Sequence, residues 1–362
     1  MKARLVVLCS SLVACSGAKP EGGGGATDLQ PPAQTANASA AGDFEVHEWG
    51  VLEVYNGAAT LLAGPGAMQR LVPVKKPVLY FHSNGAALSN ISVRVTIPTA
   101  VSKKEVALRA GVMEHAPAGE LSADGTTLLW SGLRLKDGAC QNALFAPAKT
   151  EKDLPSCGTP DGICEVNELG RYVANDADCL VDRQGSEAPF LFYRATESPP
   201  PLPFDVESRP LAAGGTELRL IHARGTDFVG PLIRVRTDGV TAKAAILDTP
   251  AMGQSVLTYG GDADRALDEK NLGKAHTALL DSMSRDFGLT TGEIQAFDRA
   301  WASTLFPNPA VVKTELPSKA ALAAQDFVFF ALPPSMVAAV AGLEISPLPR
   351  TLRRFLLVRM AL

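Results

Sequence analysis

Up to residue 263 the chain is almost without helical periodicity, and that constrains its fold more than any single motif does. Short runs of alternating apolar and polar side chains take the place of helices. Glycine, proline, asparagine and aspartate separate them, and such runs read as half-buried strands joined by turns. Residues 44–55 (FEVHEWGVLEVY) open the series. Side chains alternate across a strand, so Phe44, Val46, Glu48, Gly50, Leu52 and Val54 share one face. Glu45, His47, Trp49, Val51, Glu53 and Tyr55 share the other. Further strands are expected at 77–83, 91–99, 127–135, 190–194, 218–222, 229–237 and 242–247. Within 91–99, Val93, Val95 and Ile97 alternate with Arg94 and Thr96. No repeat at a solenoid or propeller period is present.

Helical spacing begins late. Leu272, Ala275, Leu279, Leu280, Met283 and Phe287 recur at three- and four-residue steps and form an apolar stripe. Gly288 is placed to stop that helix. Thr290 and Glu293 have the spacing of a capping box, and Ile294, Phe297, Trp301 and Leu305 make a second stripe that Pro307 ends. Two such helices cannot bury their stripes alone, so residues 263–306 are expected to pack on the sheet. Residues 327–343 carry no charge, but Pro333 and Pro334 break the run, which reads as a buried strand, a turn and a short helix instead of a membrane span. Residues 354–362 read as a terminal strand. The fold class is therefore α+β, mainly antiparallel β, with a sandwich-like body and a packed helical pair.

The N-terminus reads as an address. Lys2 and Arg4 precede a short apolar run, and Leu12-Val13-Ala14-Cys15 resembles a bacterial lipoprotein box. That resemblance implies a signal peptide over 1–14, acylation of Cys15, and anchoring by lipid instead of a spanning helix. With Ser16 after the cysteine, the outer membrane is the expected destination. Residues 15–42, rich in Gly, Ala, Ser, Thr and Pro, read as a disordered tether, leaving 43–362 as the folded part. A net charge of −4 and a pI near 5.8 argue against nucleic acid, which requires a basic stripe.

Residues 136–185 read as a Cys-rich insertion between two strands. They hold Cys140, Cys157, Cys164 and Cys179, an even set in a chain marked for export. Two disulfides are expected there, with three possible connectivities. Zinc is the alternative, although no CxxC pair or nearby histidine is present. Parts of the segment resemble small "CGDGxCE…DC" modules of secreted bacterial proteins. Asp161, Glu165, Asn167, Glu168, Asp176 and Asp178 supply hard oxygen ligands of the kind calcium takes. Solvated loop acids beside a disulfide staple are the plainer reading.

A wider resemblance runs through the chain. Val46-His47-Glu48-Trp49-Gly50 resembles the His-Glu-Trp-Gly-Thr strand that opens a group of uncharacterised secreted bacterial proteins, with Val51 in place of the threonine. Pro77-Val78-Leu79-Tyr80-Phe81 is similar to their "TPVIYFY" strand. Phe190-Leu191-Phe192-Tyr193-Arg194 is similar to "FLFYRG", with Ala195 for the glycine, and the segment carrying Glu293 and Trp301 is similar to "EA…W". The resemblance covers residues 44–362 and implies an architecture, not an activity.

The sequence contains no nucleophile elbow, phosphate loop, HExxH or dinucleotide fingerprint. His47 and Glu48 are adjacent, yet strand geometry points them to opposite faces. His47 and Trp49 share a face that would suit ligand binding. Glu48 lies on an otherwise apolar face and needs a buried partner. Arg194 is expected to supply it, because its planar fork suits a carboxylate. Two functions follow: a lipid-anchored envelope protein that binds a ligand or partner, or a periplasmic or surface hydrolase using His47 or Glu48. Convergence of His82, His115 and His222 on His47 is the feature that separates them.

Overall fold

Residues 44–55 form the central strand of the largest sheet. The computed structural model describes residues 42–55, 72–83, 85, 88–98, 111–141, 165–197, 202–212, 216–237, 241–259, 266–307 and 325–362. In chain order the strands are β1 (Gly42–Tyr55), β2 (Val72–Ser83), β3 (Leu88–Thr96), β4 (Gly111–Ala116), β5 (Glu120–Leu121), β6 (Thr127–Lys136), β7 (Cys179–Val181), β8 (Glu187–Ala188) and β9 (Leu191–Glu197). They continue as β10 (Phe204–Pro210), β11 (Thr216–His222), β12 (Leu232–Thr237), β13 (Ala242–Leu247), β14 (Ser255–Tyr259), β15 (Gln325–Ala331), β16 (Gly342–Ser346) and β17 (Pro349–Ala361). The helices are α1 (Asn271–Arg285), α2 (Thr291–Leu305) and the short α3 (Pro334–Val337), with a 3-10 helix at Glu165–Tyr172.

Among the described residues the strands make three sheets. One has eight strands, in the order β13-β12-β15-β17-β1-β2-β9-β4; one has three, β10-β11-β14; one has six, built on β16-β3-β6-β7-β8 with β5 beside β6. Pairing is antiparallel throughout except between β1 and β17, which run parallel at the centre of the large sheet. The fold is thus α+β and largely antiparallel.

The central position of β1 explains why both of its faces are buried. Phe44, Val46 and Leu52 are sealed on one side, and Trp49 and Val51 on the other. Gly50 lies at a register shift between β1 and β2, where a Cβ would stand 3.2 Å from Pro77 Cα. The missing side chain is what lets Pro77 close over the strand.

Directly paired residues share a face, so the register assigns a cover to each side. The Trp49 side carries the helices: Trp49 stacks edge-on against Phe297 of α2 at 5.4 Å, and Phe355 of β17 meets Phe287 and Phe297. The Glu48 side meets the two smaller sheets. His115 of β4 touches Trp130 of β6, and Phe330 of β15 meets Phe204 of β10 at 5.0 Å. The body is therefore sandwich-like, with the helical pair packed outside the large sheet.

Helix signals in the sequence have direct counterparts. Gly288 adopts φ +65, and its N–H bonds to Ser284 O at 3.0 Å, the return bond that ends a helix at a left-handed glycine. Leu332 and Pro333 separate β15 from α3, which Pro334 opens. No helix among the described residues is long and apolar enough to cross a membrane.

Cys140 and Cys179 form a disulfide that ties the end of β6 to β7. Residues 136–185 are therefore not wholly an insertion, since β7 belongs to the six-stranded sheet. Cys15, Cys157 and Cys164 lie outside the described residues, as do residues 1–41. A Cys140→Ser variant is expected to lose about 2–4 kcal/mol, mainly because the unfolded chain is no longer cross-linked. Denaturant titration checks this, and an unchanged midpoint would show that the bridge does not constrain the unfolded chain.

Candidate functional site

The site is assembled by pairing β1 with β2. His47 lies opposite Tyr80 and Glu45 opposite His82, so His47 and His82 are diagonal neighbours on the helix-covered face. Their rings stand 4.7 Å apart. Over them sits the N-terminus of α2. Thr290 caps it, with its Oγ1 accepting from Glu293 N–H at 3.2 Å while Thr290 N–H donates to Glu293 Oε2 at 2.8 Å. The capping box expected from the sequence is present, but its glutamate does more than cap. Glu293 is fully buried and reaches both histidines.

The distances define a connected triad. His47 Nδ1 lies 3.0 Å from both Glu293 oxygens, and His82 Nε2 lies 2.8 Å from Glu293 Oε1. His82 Nδ1 faces the carbonyl of Asp176 at 3.2 Å. Carbonyls and ionised carboxylates only accept, so only the doubly protonated ring makes both bonds at once. Burial pulls the His82 pKa down, but the Glu293 hydrogen bond and charge outweigh it and leave the pKa raised. Burial likewise pushes Glu293 up, yet the bonds from His47 and His82 hold it at about 2. His47 is 3% exposed, and its Nε2 has no hydrogen-bond partner among the described residues. The nearest carboxylate is Glu45, with Oε2 3.4 Å away. Asp176 steadies the other side of the cluster by accepting Gly292 N–H at 2.9 Å.

His115 and His222 do not join. His115 lies against Trp130, and His222 bonds the carbonyls of Pro250 and Gly225. His276 pairs with Asp298 at 2.7 Å. Of the scattered histidines, only His82 converges on His47.

Trp49 does not face a ligand. It is sealed between Tyr80, Tyr172 and Phe297, because both faces of β1 are covered. Glu48 is fully buried on the opposite face. Its partner is not Arg194. Arg354 Nε donates to Glu48 Oε2 at 2.5 Å, and Tyr193 Oη donates to Oε1 at 2.9 Å. Register is the reason. Leu79 pairs with both Glu48 and Leu191, so Tyr193 shares the Glu48 face and Arg194 lies on the other. Arg194, also buried, has Glu114 Oε2 3.9 Å away. Burial lowers the Arg354 pKa, but the Glu48 charge together with Tyr193 and the hydrogen bonds to both outweighs it and leaves the pKa raised.

Of the calcium set proposed from the sequence, Asp176 and Asp178 are placed with their side chains. Asp178 accepts the Ser83 and Gly138 N–H groups. Both carboxylates thus hold backbone in place. Glu165, Asn167 and Glu168 are described only as backbone of the 3-10 helix, and Asp161 lies outside the described residues.

The residue that sequence reasoning missed as a site member is Glu293. Its signal was visible, but it read as a helix start and as part of the "EA…W" resemblance, not as a site residue. No protein-family model and no curated protein matches the chain. Among solved structures, one match is the Fcho1 Mu homology domain of Danio rerio with a bound Eps15 peptide, at 10% identity. It covers 90% of this chain and 100% of that one with a TM-score of 0.31, too low to argue shared architecture or function.

Proposed function

We propose that this chain is a lipid-tethered bacterial envelope protein, on the outer membrane, that works by binding at the His47–Glu293–His82 cluster. The alternative is a periplasmic or surface hydrolase using His47 or Glu48. The observation that carries the choice is the position of Glu48, which is buried on the face away from His47 and held by Arg354 and Tyr193. A general base must reach the proton it removes, and Glu48 has no such access. The disulfide supports an oxidising compartment, and the lipoprotein box supports the tether.

Two measurements test this reading. Cys15→Ser should move the protein from the membrane to the soluble fraction, and unchanged fractionation would remove the tether. Purified wild-type protein should show no turnover on chromogenic esters, peptides and glycosides. Turnover abolished by Glu48→Gln in a still-folded protein would establish the hydrolase instead.

A further inference from the structure

We propose that His47, His82 and Glu293 bind one divalent transition-metal ion of the zinc class, through His47 Nδ1, His82 Nε2 and a Glu293 carboxylate oxygen. The proposal deepens the binding reading by naming the ligand class, and it rests on that cluster being the binding centre. The three candidate ligand atoms lie within 4.8 Å of one another. Two imidazoles and one carboxylate suit zinc and its neighbours, whereas calcium and magnesium favour all-oxygen sets. Zinc bonds of about 2.0–2.1 Å put tetrahedral ligands roughly 3.3 Å apart. The hydrogen-bonded distances of 2.8 and 3.0 Å need only open by a few tenths of an ångström.

The surroundings of each ring favour ligation over a plain hydrogen-bonded triad. Metal-bound histidines almost always donate their second N–H to a carbonyl or carboxylate. His82 already does so, through Nδ1 to the Asp176 carbonyl, which aims Nε2 at Glu293. His47 is more telling. In the metal-free triad its Nδ1 proton is given to Glu293, and its buried Nε2 is left without a hydrogen bond among the described residues. A buried polar atom without a partner is costly. When an ion takes Nδ1, the ring proton relocates to Nε2, where Glu45 Oε2, 3.4 Å away, is the carboxylate that a small ring rotation brings into hydrogen-bond geometry. Glu45 is held there by Arg350 at 2.6 Å. The ion displaces the His82 Nε2 proton to solvent. Thr290 N–H fixes Glu293 Oε2, leaving Oε1 toward both rings. His82 is the partly exposed member, with 17% of its side chain accessible, and so marks the entry.

The test uses the full-length protein in detergent, stripped with chelator and titrated with zinc chloride by calorimetry. Zinc per chain is measured in parallel, and cobalt(II) is substituted for spectroscopy. Wild type should bind one zinc per chain, with the weak visible bands of nitrogen and oxygen ligation to cobalt. His82→Ala, at the exposed edge of the cluster, should abolish binding while the protein stays folded. Glu45→Gln should weaken binding about 10–100-fold, as loss of an orienting partner does, and His115→Ala should bind as wild type. The proposal is overturned if wild type takes up no zinc, if His82→Ala binds normally, or if cobalt shows the intense near-ultraviolet band of thiolate ligation. An unchanged affinity in Glu45→Gln would overturn His47 Nδ1 as the ligand atom. None of these outcomes alters membrane fractionation or the turnover assays, so loss of the metal site and loss of the envelope-binding reading are separable.

Discussion

Replacing Arg354 by methionine should lower the stability of the folded protein by about 3–5 kcal/mol. Methionine keeps much of the volume of the arginine stem, so packing is largely preserved. What changes is the charge. Glu48 has no exposed surface, and Arg354 Nε supplies the bond to its Oε2 at 2.5 Å. Without it, Glu48 keeps only the Tyr193 hydroxyl, on its other oxygen. A buried carboxylate with one neutral donor must either stay charged at high cost or take up a proton. Glu48→Gln alone should be costly for the complementary reason, since it strands the arginine. The double variant Glu48→Gln/Arg354→Met should cost less than the two singles combined, by about 0.5–3 kcal/mol. Guanidinium midpoints for the four proteins decide the matter. Strictly additive losses would mean that the two side chains do not act as a pair.

A second large effect is expected at Trp49. Truncation to alanine should cost about 3–5 kcal/mol, the loss of buried apolar area plus the cavity left behind. Trp49 is where three elements of the helix side meet. It touches Tyr80 on the neighbouring strand, Tyr172 at the end of the 3-10 helix and Phe297 of α2, the last two edge-on at 5.9 and 5.4 Å. None of these rings can move far into the gap, because each belongs to a different packed element. Trp49→Phe should recover most of the loss. Thermal and chemical unfolding measure both variants. A Trp49→Ala protein as stable as wild type would mean that the ring is not part of the core.

Much of the strand and helix pattern was legible because it rests on local chemistry. Residues 242–247 form β13 over the range the alternation marks. Gly288 and the Thr290–Glu293 box bound the two long helices as their spacing implies. The short edge strands β4, β10, β14 and β16 were not marked; each offers only a few apolar side chains, too few to set a period. The site was legible only in pieces. His47 and His82 lie 35 positions apart in sequence order, and their meeting depends on the β1–β2 register, which no local signal fixes. Glu293 was identified as a cap, and capping explains its residue type fully from the sequence side. Only the docking of α2 onto β1 and β2 gives the same carboxylate a second role. The Glu48 partner failed for the same reason. Phe190, Phe192 and Arg194 do share a face, but pairing through β2 turns that face toward Trp49.

The parallel pairing of β1 with β17 has a temporal consequence. Glu48 and its partner Arg354 are separated by 306 positions. At synthesis rates of about 5–20 residues per second, β1 exists for roughly 15–60 s before its central neighbour is made. For that interval the largest sheet lacks the strand that joins its two halves, since β15 reaches β1 only through β17. The open flank of β1 is long, apolar and rich in β-formers, the kind of edge that recruits other chains. Folding is therefore gated by delivery of the last strand, and a chain clipped before Pro349 should be bound by holding factors or degraded, with no partly native domain accumulating.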